Sequence, residues 1–351
     1  MLEKDFIKMW SEKGYIIATG APAENGHEVI MTASDDDIFR FRSSFIFEKK
    51  DYGEDSLHLI SGDLKQTFRL LYGADDFIPS IFDKLPERMP LEGENKVYMA
   101  VSKKDRDTSG RYVPRWVIPV TAGKYRQESC LPNLRSEDNV QYDAQHDEPE
   151  NGKETVLHDN TGDNISDRNC LYSEASVMYW LWKNTGEMDN IGLFQYRRFF
   201  ASDAACMSQF DDYDMITTIP SFVPATIKSF FTRTMVIDMD WQLMMLAIEQ
   251  DCKDYYSDAL LYEKSHFYFP CNLFYMKREL FDEMCSFIFK VTFDIEEFYG
   301  RCNVKRGERY LGYIVENLVS IFICHNRDRI RKACVDMKFY PAEPDGEDIL
   351  M

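Results

Sequence analysis

Hydrophobic positions recur with two different periods along this chain. Leu280, Phe281, Met284, Phe287, Ile288, Val291, Ile295 and Phe298 fall at helical spacing, and so do Leu311, Ile314, Val315, Leu318, Val319 and Phe322. Each set covers one face of a helix, which predicts two amphipathic core helices. Short apolar runs bounded by charge predict buried strands at Val97–Ser102 and near 116–121, 190–195, 214–218 and 271–276, with further helices near 171–184 and 237–250. Strand and helix thus alternate from Lys96 onward, which predicts an α/β domain with a largely parallel sheet. In such a sheet the ligand site lies at the carboxyl ends of the strands.

The first 92 residues have another texture. Phe39, Phe41 and the Ser-Phe-Ile-Phe run at 44–47 read as strand, while Leu64, Phe68, Leu71 and Tyr72 follow helical spacing. Pro86, Pro90 and Gly93 interrupt any regular element, so a boundary is expected near 92. The expected division is an N-terminal α+β segment over 1–92, the α/β domain over 93–335 and an acidic tail over 336–351. Residues 126–155 are polar and lack apolar period, which predicts a long loop or lid.

Charge narrows the function classes. The 351 residues hold 60 Asp and Glu against 41 Lys and Arg, a formal charge of −19. No basic stripe is present to neutralise phosphates, so a nucleic-acid partner is not expected. With 44% hydrophobic residues the chain can fill a large core, and global disorder is excluded. Nine cysteines without a Cys-x-x-Cys pair suit reduced, buried thiols. The opening residues have no apolar signal core, and no run approaches the roughly 18 apolar residues of a spanning helix, so a soluble cytoplasmic protein is expected.

Three polar constellations are candidates for chemistry. His158-Asp-Asn-Thr-Gly-Asp-Asn-Ile-Ser-Asp167 follows a strand and precedes a helix. Its carboxylates and amides suit a metal, ribose or sugar, and equally a helix-capping turn. Ile191-Gly-Leu-Phe-Gln-Tyr-Arg-Arg-Phe-Phe200 runs a strand into Arg197 and Arg198, whose planar forks match phosphate oxygens. Asp238 and Asp240 form an Asp-x-Asp pair that suits Mg²⁺ or Mn²⁺ beside a diphosphate, or the first turn of a helix. The six histidines show no ligand spacing, and neither a P-loop nor a Gly-x-Ser-x-Gly elbow occurs.

Taken in order, Asp159-Asn-Thr-Gly-Asp-Asn-Ile-Ser166, Tyr172-Ser-Glu-Ala-Ser-Val-Met-Tyr-Trp-Leu-Trp-Lys-Asn184 and the Ile191–Phe200 segment resemble bacterial capsular and exopolysaccharide glycosyltransferases long catalogued as a domain of unknown function. Asp214-Met-Ile-Thr-Thr-Ile-Pro220, Asp238-Met-Asp240, Asn272-Leu-Phe-Tyr-Met-Lys-Arg-Glu-Leu-Phe-Asp282 and Arg309-Tyr-Leu-Gly-Tyr-Ile-Val-Glu-Asn-Leu318 continue the likeness, which spans about residues 95–327. The family's histidine before Tyr-Arg-Arg is Gln195 here, and Thr232–Met235 replaces its paired histidines before the Asp-x-Asp.

The resemblance implies a GT-A-like domain that transfers a sugar from a nucleotide-diphosphate donor to a lipid-linked or polysaccharide acceptor. It implies work at the inner face of a membrane by peripheral contact, with Mn²⁺ or Mg²⁺. On that footing Asp163, Arg197, Arg198 and Glu316 are candidate catalytic groups; Asp159, Asn160, Thr161, Asn164, Tyr196 and Asn272 are candidates for the donor; and Asp238 and Asp240 for the metal. For Glu316 a solvated helix face is the competing reading. A silent nucleotide- or sugar-binding scaffold in a polysaccharide assembly complex is the alternative, suggested by the two histidine replacements.

Overall fold

The computed structural model describes residues 16–19, 27–32, 38–43, 76–78, 95–102, 117–123, 157–195, 198–200, 213–223, 225–335 and 337–339. The strands are β1 (Ile16–Thr19), β2 (His27–Thr32), β3 (Ile38–Ser43), β4 (Asp76–Ile78), β5 (Asn95–Val101), β6 (Val117–Thr121), β7 (Leu157–His158) and β8 (Asn190–Gln195). They continue with β9 (Arg198–Phe200), β10 (Met215–Thr218), β11 (Ser221–Phe222), β12 (Phe267–Tyr268), β13 (Phe274–Lys277), β14 (Lys332–Val335) and β15 (Met337–Phe339). The helices are α1 (Asn169–Tyr172), α2 (Ala175–Asn184), α3 (Ile227–Thr234), α4 (Asp238–Asp251), α5 (Tyr256–Glu263), α6 (Arg278–Arg301) and α7 (Tyr310–His325).

The central sheet runs β4-β14-β10-β13-β8-β5-β6-β7. Pairing is parallel from β8 through β5 and β6 to β7, and from β10 through β14 to β4. Only β13 within this path is antiparallel to its neighbours, β10 and β8. A mixed, mostly parallel α/β sheet flanked by helices was expected from the alternation of elements and is what the chain forms. The sheet also draws in the N-terminal region. β4 adds beside β14, and β1, β2 and β3 form a second sheet with β11 and β12.

Side chains on β5 alternate between two cores, as the pleat requires. Tyr98 and Ala100 join the larger core with α2, α4, α6 and α7, where Met178, Leu181, Trp241, Met244, Ile288 and Phe322 are fully buried. Val97, Met99 and Val101 point the other way, into a smaller core with Phe194, Phe200, Ile216 and Tyr275. Each such side chain contributes roughly 1.5–3 kcal/mol on burial. The predicted face of α6 is the buried one except at its end, where Phe298 is exposed. α7 is buried almost all round.

Two expected elements are interrupted, and both breaks matter below. The helix near 171–184 is split at Ser173, whose φ of 52° ends α1 before α2 begins. The strand near 271–276 starts only at Phe274, because Pro270–Asn272 form a tight turn in which Cys271 and Asn272 have left-handed φ. Helices α3 and α5 were not anticipated; α3 starts where Thr226 Oγ accepts the Ser229 N–H at 3.3 Å. The readings at 44–47, 64–72 and 126–155 lie outside the described residues. No helix among the described residues is long and apolar enough to cross a membrane.

Candidate functional site

The register of the sheet decides which loops meet. Strands β8, β5 and β6 end at Gln195, Val101 and Thr121 on one edge. Because β13 is antiparallel to β8 (Phe274 opposite Leu193), the Pro270–Asn272 turn before it lies on that same edge. Arg198 pairs antiparallel with Gln195 in the sheet. Helix α7 packs against this edge from outside. Its Gly312 makes the approach possible, since a Cβ there would sit 3.1 Å from the Tyr172 carbonyl oxygen and 3.3 Å from Ser173 Cβ.

That packing brings Glu316, one turn beyond Gly312, to the end of the sheet, together with Glu174 from the α1–α2 junction. Asn272 Nδ2 donates to Glu174 Oε1 at 2.9 Å, and the Cys271 N–H donates to Glu316 Oε1 at 2.5 Å. Consecutive residues of one turn therefore hold the two carboxylates. Glu174 and Asn272 are only 4% and 2% exposed, yet Glu174 Oε2 and Asn272 Oδ1 have no hydrogen-bond partner among the described residues. Arg309 closes the site, its Nε donating to Ser173 Oγ at 3.1 Å and its backbone N–H to the Cys170 carbonyl at 2.7 Å.

Backbone strain concentrates here. Five non-glycine residues among those described have left-handed φ, and four of them surround the pair: Ser173 (52°), Cys271 (69°), Asn272 (48°) and Arg309 (63°). Such conformations cost of order 1–3 kcal/mol each and cluster at functional sites. The electrostatics are equally unusual. Burial pushes the Glu316 carboxyl up to about 7; the Glu174 charge adds to this, and the Cys271 N–H, Arg198 and Arg309 oppose it. Burial also raises Glu174, against the pull of its own N–H, Asn272, Arg309 and Arg198. Two carboxylates acted on by two arginines at the strand ends are a chemical set suited to passing a proton and binding an anion.

Of the residues singled out from sequence, Arg198, Asn272 and Glu316 are brought together here. Glu316 is therefore not on a solvated helix face. Tyr196 and Arg197 lie outside the described residues. Glu174, Arg309 and Cys271 were missed. The available signal for Glu174 was a carboxylate at the head of a helix whose next seven residues are all buried.

The loop after β7 does something else. Asp159 is fully buried, accepting from the Gly123 N–H at 3.0 Å, Ser166 Oγ at 2.5 Å and Ser176 Oγ at 2.6 Å. Thr161 accepts from Trp180 Nε1 at 3.0 Å, and Asp163 from Tyr179 Oη at 3.0 Å. Asn184 Oδ1 takes the Asp163 N–H and its Nδ2 donates to the Asp163 carbonyl, while Asn164 bonds Ser166 N and the Gly162 carbonyl within the turn. Tyr179 to Asn184 lie five to ten residues beyond Glu174 along α2, about 8–15 Å at the helical rise. Asp159, Thr161, Asp163 and Asn164, expected as donor or catalytic groups, thus fasten this loop onto α2 or close its own turn. Asn160 is half-buried.

The two residues expected for a metal have other partners. Asp240 is fully buried; its Oδ1 accepts from Tyr299 Oη at 2.7 Å and Arg306 Nε at 2.8 Å, and its Oδ2 from Arg306 Nη2 and, at 2.9 Å, the Ile237 N–H. Asp238 sits on the exposed first turn of α4 and bonds Gln242. The competing helix-start reading is the one realised. These oxygens do not fit a divalent ion, and among the described residues no group of three or more His, Cys, Asp or Glu is placed to hold one.

In a mostly parallel α/β sheet, ligands bind at the carboxyl ends of the strands, which is where this charged cluster lies. Residues 138–327 match the family described as Domain of unknown function (DUF4422), and the chain belongs to that family. No curated protein sequence matches the chain. Its fold is similar to that of WbbM, a bifunctional glycosyltransferase solved in its apo form, with a TM-score of 0.54 and 16% identity over 70% of this chain. The matched region is 45% of WbbM, so the chain spans under half of that protein. The likeness places the fold among GT-A-like folds. The mannosyltransferase Ktr4p from S. cerevisiae is more remote, at a TM-score of 0.32 and 10% identity over 80% of this chain and 78% of its own.

Proposed function

We propose that this chain is a glycosyltransferase that moves a sugar from a nucleoside-diphosphate donor to an acceptor hydroxyl. The observation that carries the reading is the pairing of buried Glu174 with half-buried Glu316, set beside Arg198 and Arg309 at the carboxyl edge of the sheet. Transfer to a hydroxyl needs a group to take its proton and positive charge to stabilise the departing diphosphate. Glu316, titrating near 7, takes the proton; Arg198 and Arg309 hold the phosphates. No step is assigned to a metal. The sequence likeness supports a lipid-linked or polysaccharide acceptor of capsule or exopolysaccharide synthesis, reached by contact at a membrane surface.

The test is release of nucleoside diphosphate from a panel of UDP-, GDP- and dTDP-hexoses, with thermal unfolding read in parallel. A donor at 100 times its dissociation constant adds about 2.7 kcal/mol to the native state. One donor should stabilise the protein and be turned over, with turnover lost in Glu316→Gln. Failure of every donor both to stabilise and to react overturns the reading in favour of the scaffold.

A further inference from the structure

We propose that Glu174 Oε2 and Asn272 Oδ1 form a subsite that accepts hydrogen bonds from hydroxyl groups of a sugar ring. The two side chains are already bonded to each other through Asn272 Nδ2 and Glu174 Oε1 at 2.9 Å, which fixes the amide's orientation. The remaining oxygen of each is buried with no partner among the described residues. Buried acceptors left unmade are costly, and native proteins keep them where a ligand or water completes them. Two acceptors call for donors. Two acceptor oxygens cannot pair with the oxygens of a phosphate, and Arg198 and Arg309, which both act on Glu174, disfavour a cation. A neutral hydroxyl satisfies both conditions. The left-handed Cys271–Asn272 turn holds the amide in place, so the subsite is built before the ligand arrives.

The inference rests on the glycosyl-transfer reading only for taking the ligand to be a sugar. The sugar ring can belong to the donor or to the acceptor. The experiment titrates the full chain calorimetrically with UDP, GDP and dTDP and their hexose conjugates, and follows methyl glucosides and galactosides by saturation-transfer NMR. Wild type is compared with Glu174→Gln, which keeps the shape and one acceptor, and Asn272→Gly, which keeps the left-handed turn. Unfolding midpoints verify that both variants fold.

At least one sugar-bearing probe should bind ten-fold or more weaker to both variants, while the bare nucleotides stay within about two-fold. Loss confined to a nucleotide sugar assigns the ring to the donor; loss confined to a methyl glycoside assigns it to the acceptor. Unchanged sugar binding in folded variants overturns the subsite and means that water alone fills it, with the transfer reading intact. No sugar-bearing probe binding to the wild type also overturns it. Methyl glycoside binding that both variants lose, with no nucleotide bound at all, keeps the subsite and sinks the donor reading.

Discussion

Two polar clusters lie near the same end of the sheet, and they differ in how their hydrogen bonds close. Around Asp159 every carboxylate contact is made: a backbone N–H and two serine hydroxyls converge on it, and Thr161, Asp163 and Asn164 are tied to α2 or to their own turn. Around Glu174 and Glu316 the reverse holds. Two buried acceptors lack partners, four residues carry left-handed backbone, and like charges face each other. A carboxylate met by three donors marks a cluster that holds the fold, whereas unmet buried acceptors beside strained backbone mark one that awaits a ligand. The loop that reads as richest in chemistry spends its side chains on fastening itself to α2.

The hardest test of this contrast is catalytic. Glu316→Gln should lower kcat by 10²- to 10⁴-fold with little change in KM, the range of a lost general base. Asp163→Asn should leave kcat within about three-fold, a bound consistent with a role confined to the Tyr179 contact. Steady-state transfer kinetics on both variants decide the matter, and equal losses would erase the distinction between the clusters.

Next in size are the buried charges. Asp240→Ala strands Arg306 and should cost about 3–5 kcal/mol in denaturant unfolding, as breaking a buried pair does. It should leave the response of donor binding to Mg²⁺ or Mn²⁺ unchanged; a lost metal response would return Asp240 to the site. Arg198→Ala should weaken nucleotide binding by roughly ten-fold or more, on the order of 1.5–3 kcal/mol for a charge-assisted bond. Calorimetry with the bare nucleotide reads this directly.

The pH dependence of stability comes next. Glu316 titrates near 7 in the folded chain against an ordinary 4.5. Between those values the unfolded chain gives up its proton while the folded one keeps it, so the folded state binds more protons. Stability from this group therefore falls as pH rises from about 4.5 to 7 and is level above, by roughly 1–3 kcal/mol. Glu316→Gln should flatten that slope in unfolding midpoints measured from pH 4.5 to 8. Activity runs the opposite way, rising with pH to half its limit near 7 as the base ionises. The smallest effect is Gly162→Ala, expected to cost about 1–2 kcal/mol. Its φ of 57° disfavours a side chain, and a Cβ would meet Asn184 Oδ1 at 1.9 Å, so the fastening of the loop to α2 would loosen without loss of donor affinity.

Much of this molecule is local, and that part was legible. The periods of Leu280–Phe298 and Leu311–Phe322 placed α6 and α7, and the apolar runs placed β5, β6, β8 and β10, because burying one face of an element writes its period into the chain. The alternation of those elements set the α/β class. Asp238 and Asp240 were legible as a helix start as well as a metal pair, and composition could not choose between them.

What only the tertiary structure decided is which polar residues share a pocket. Asn272, Arg309 and Glu316 lie 98, 135 and 142 positions beyond Glu174 in the chain, the four on three separate segments. They meet because β13 runs antiparallel to β8 and because Gly312 lets α7 close on the α1–α2 junction. Register and packing of distant segments leave no period in the sequence. A carboxylate that will be satisfied and one that will be left waiting are written with the same residues, and the difference lies in what the fold brings to their oxygens.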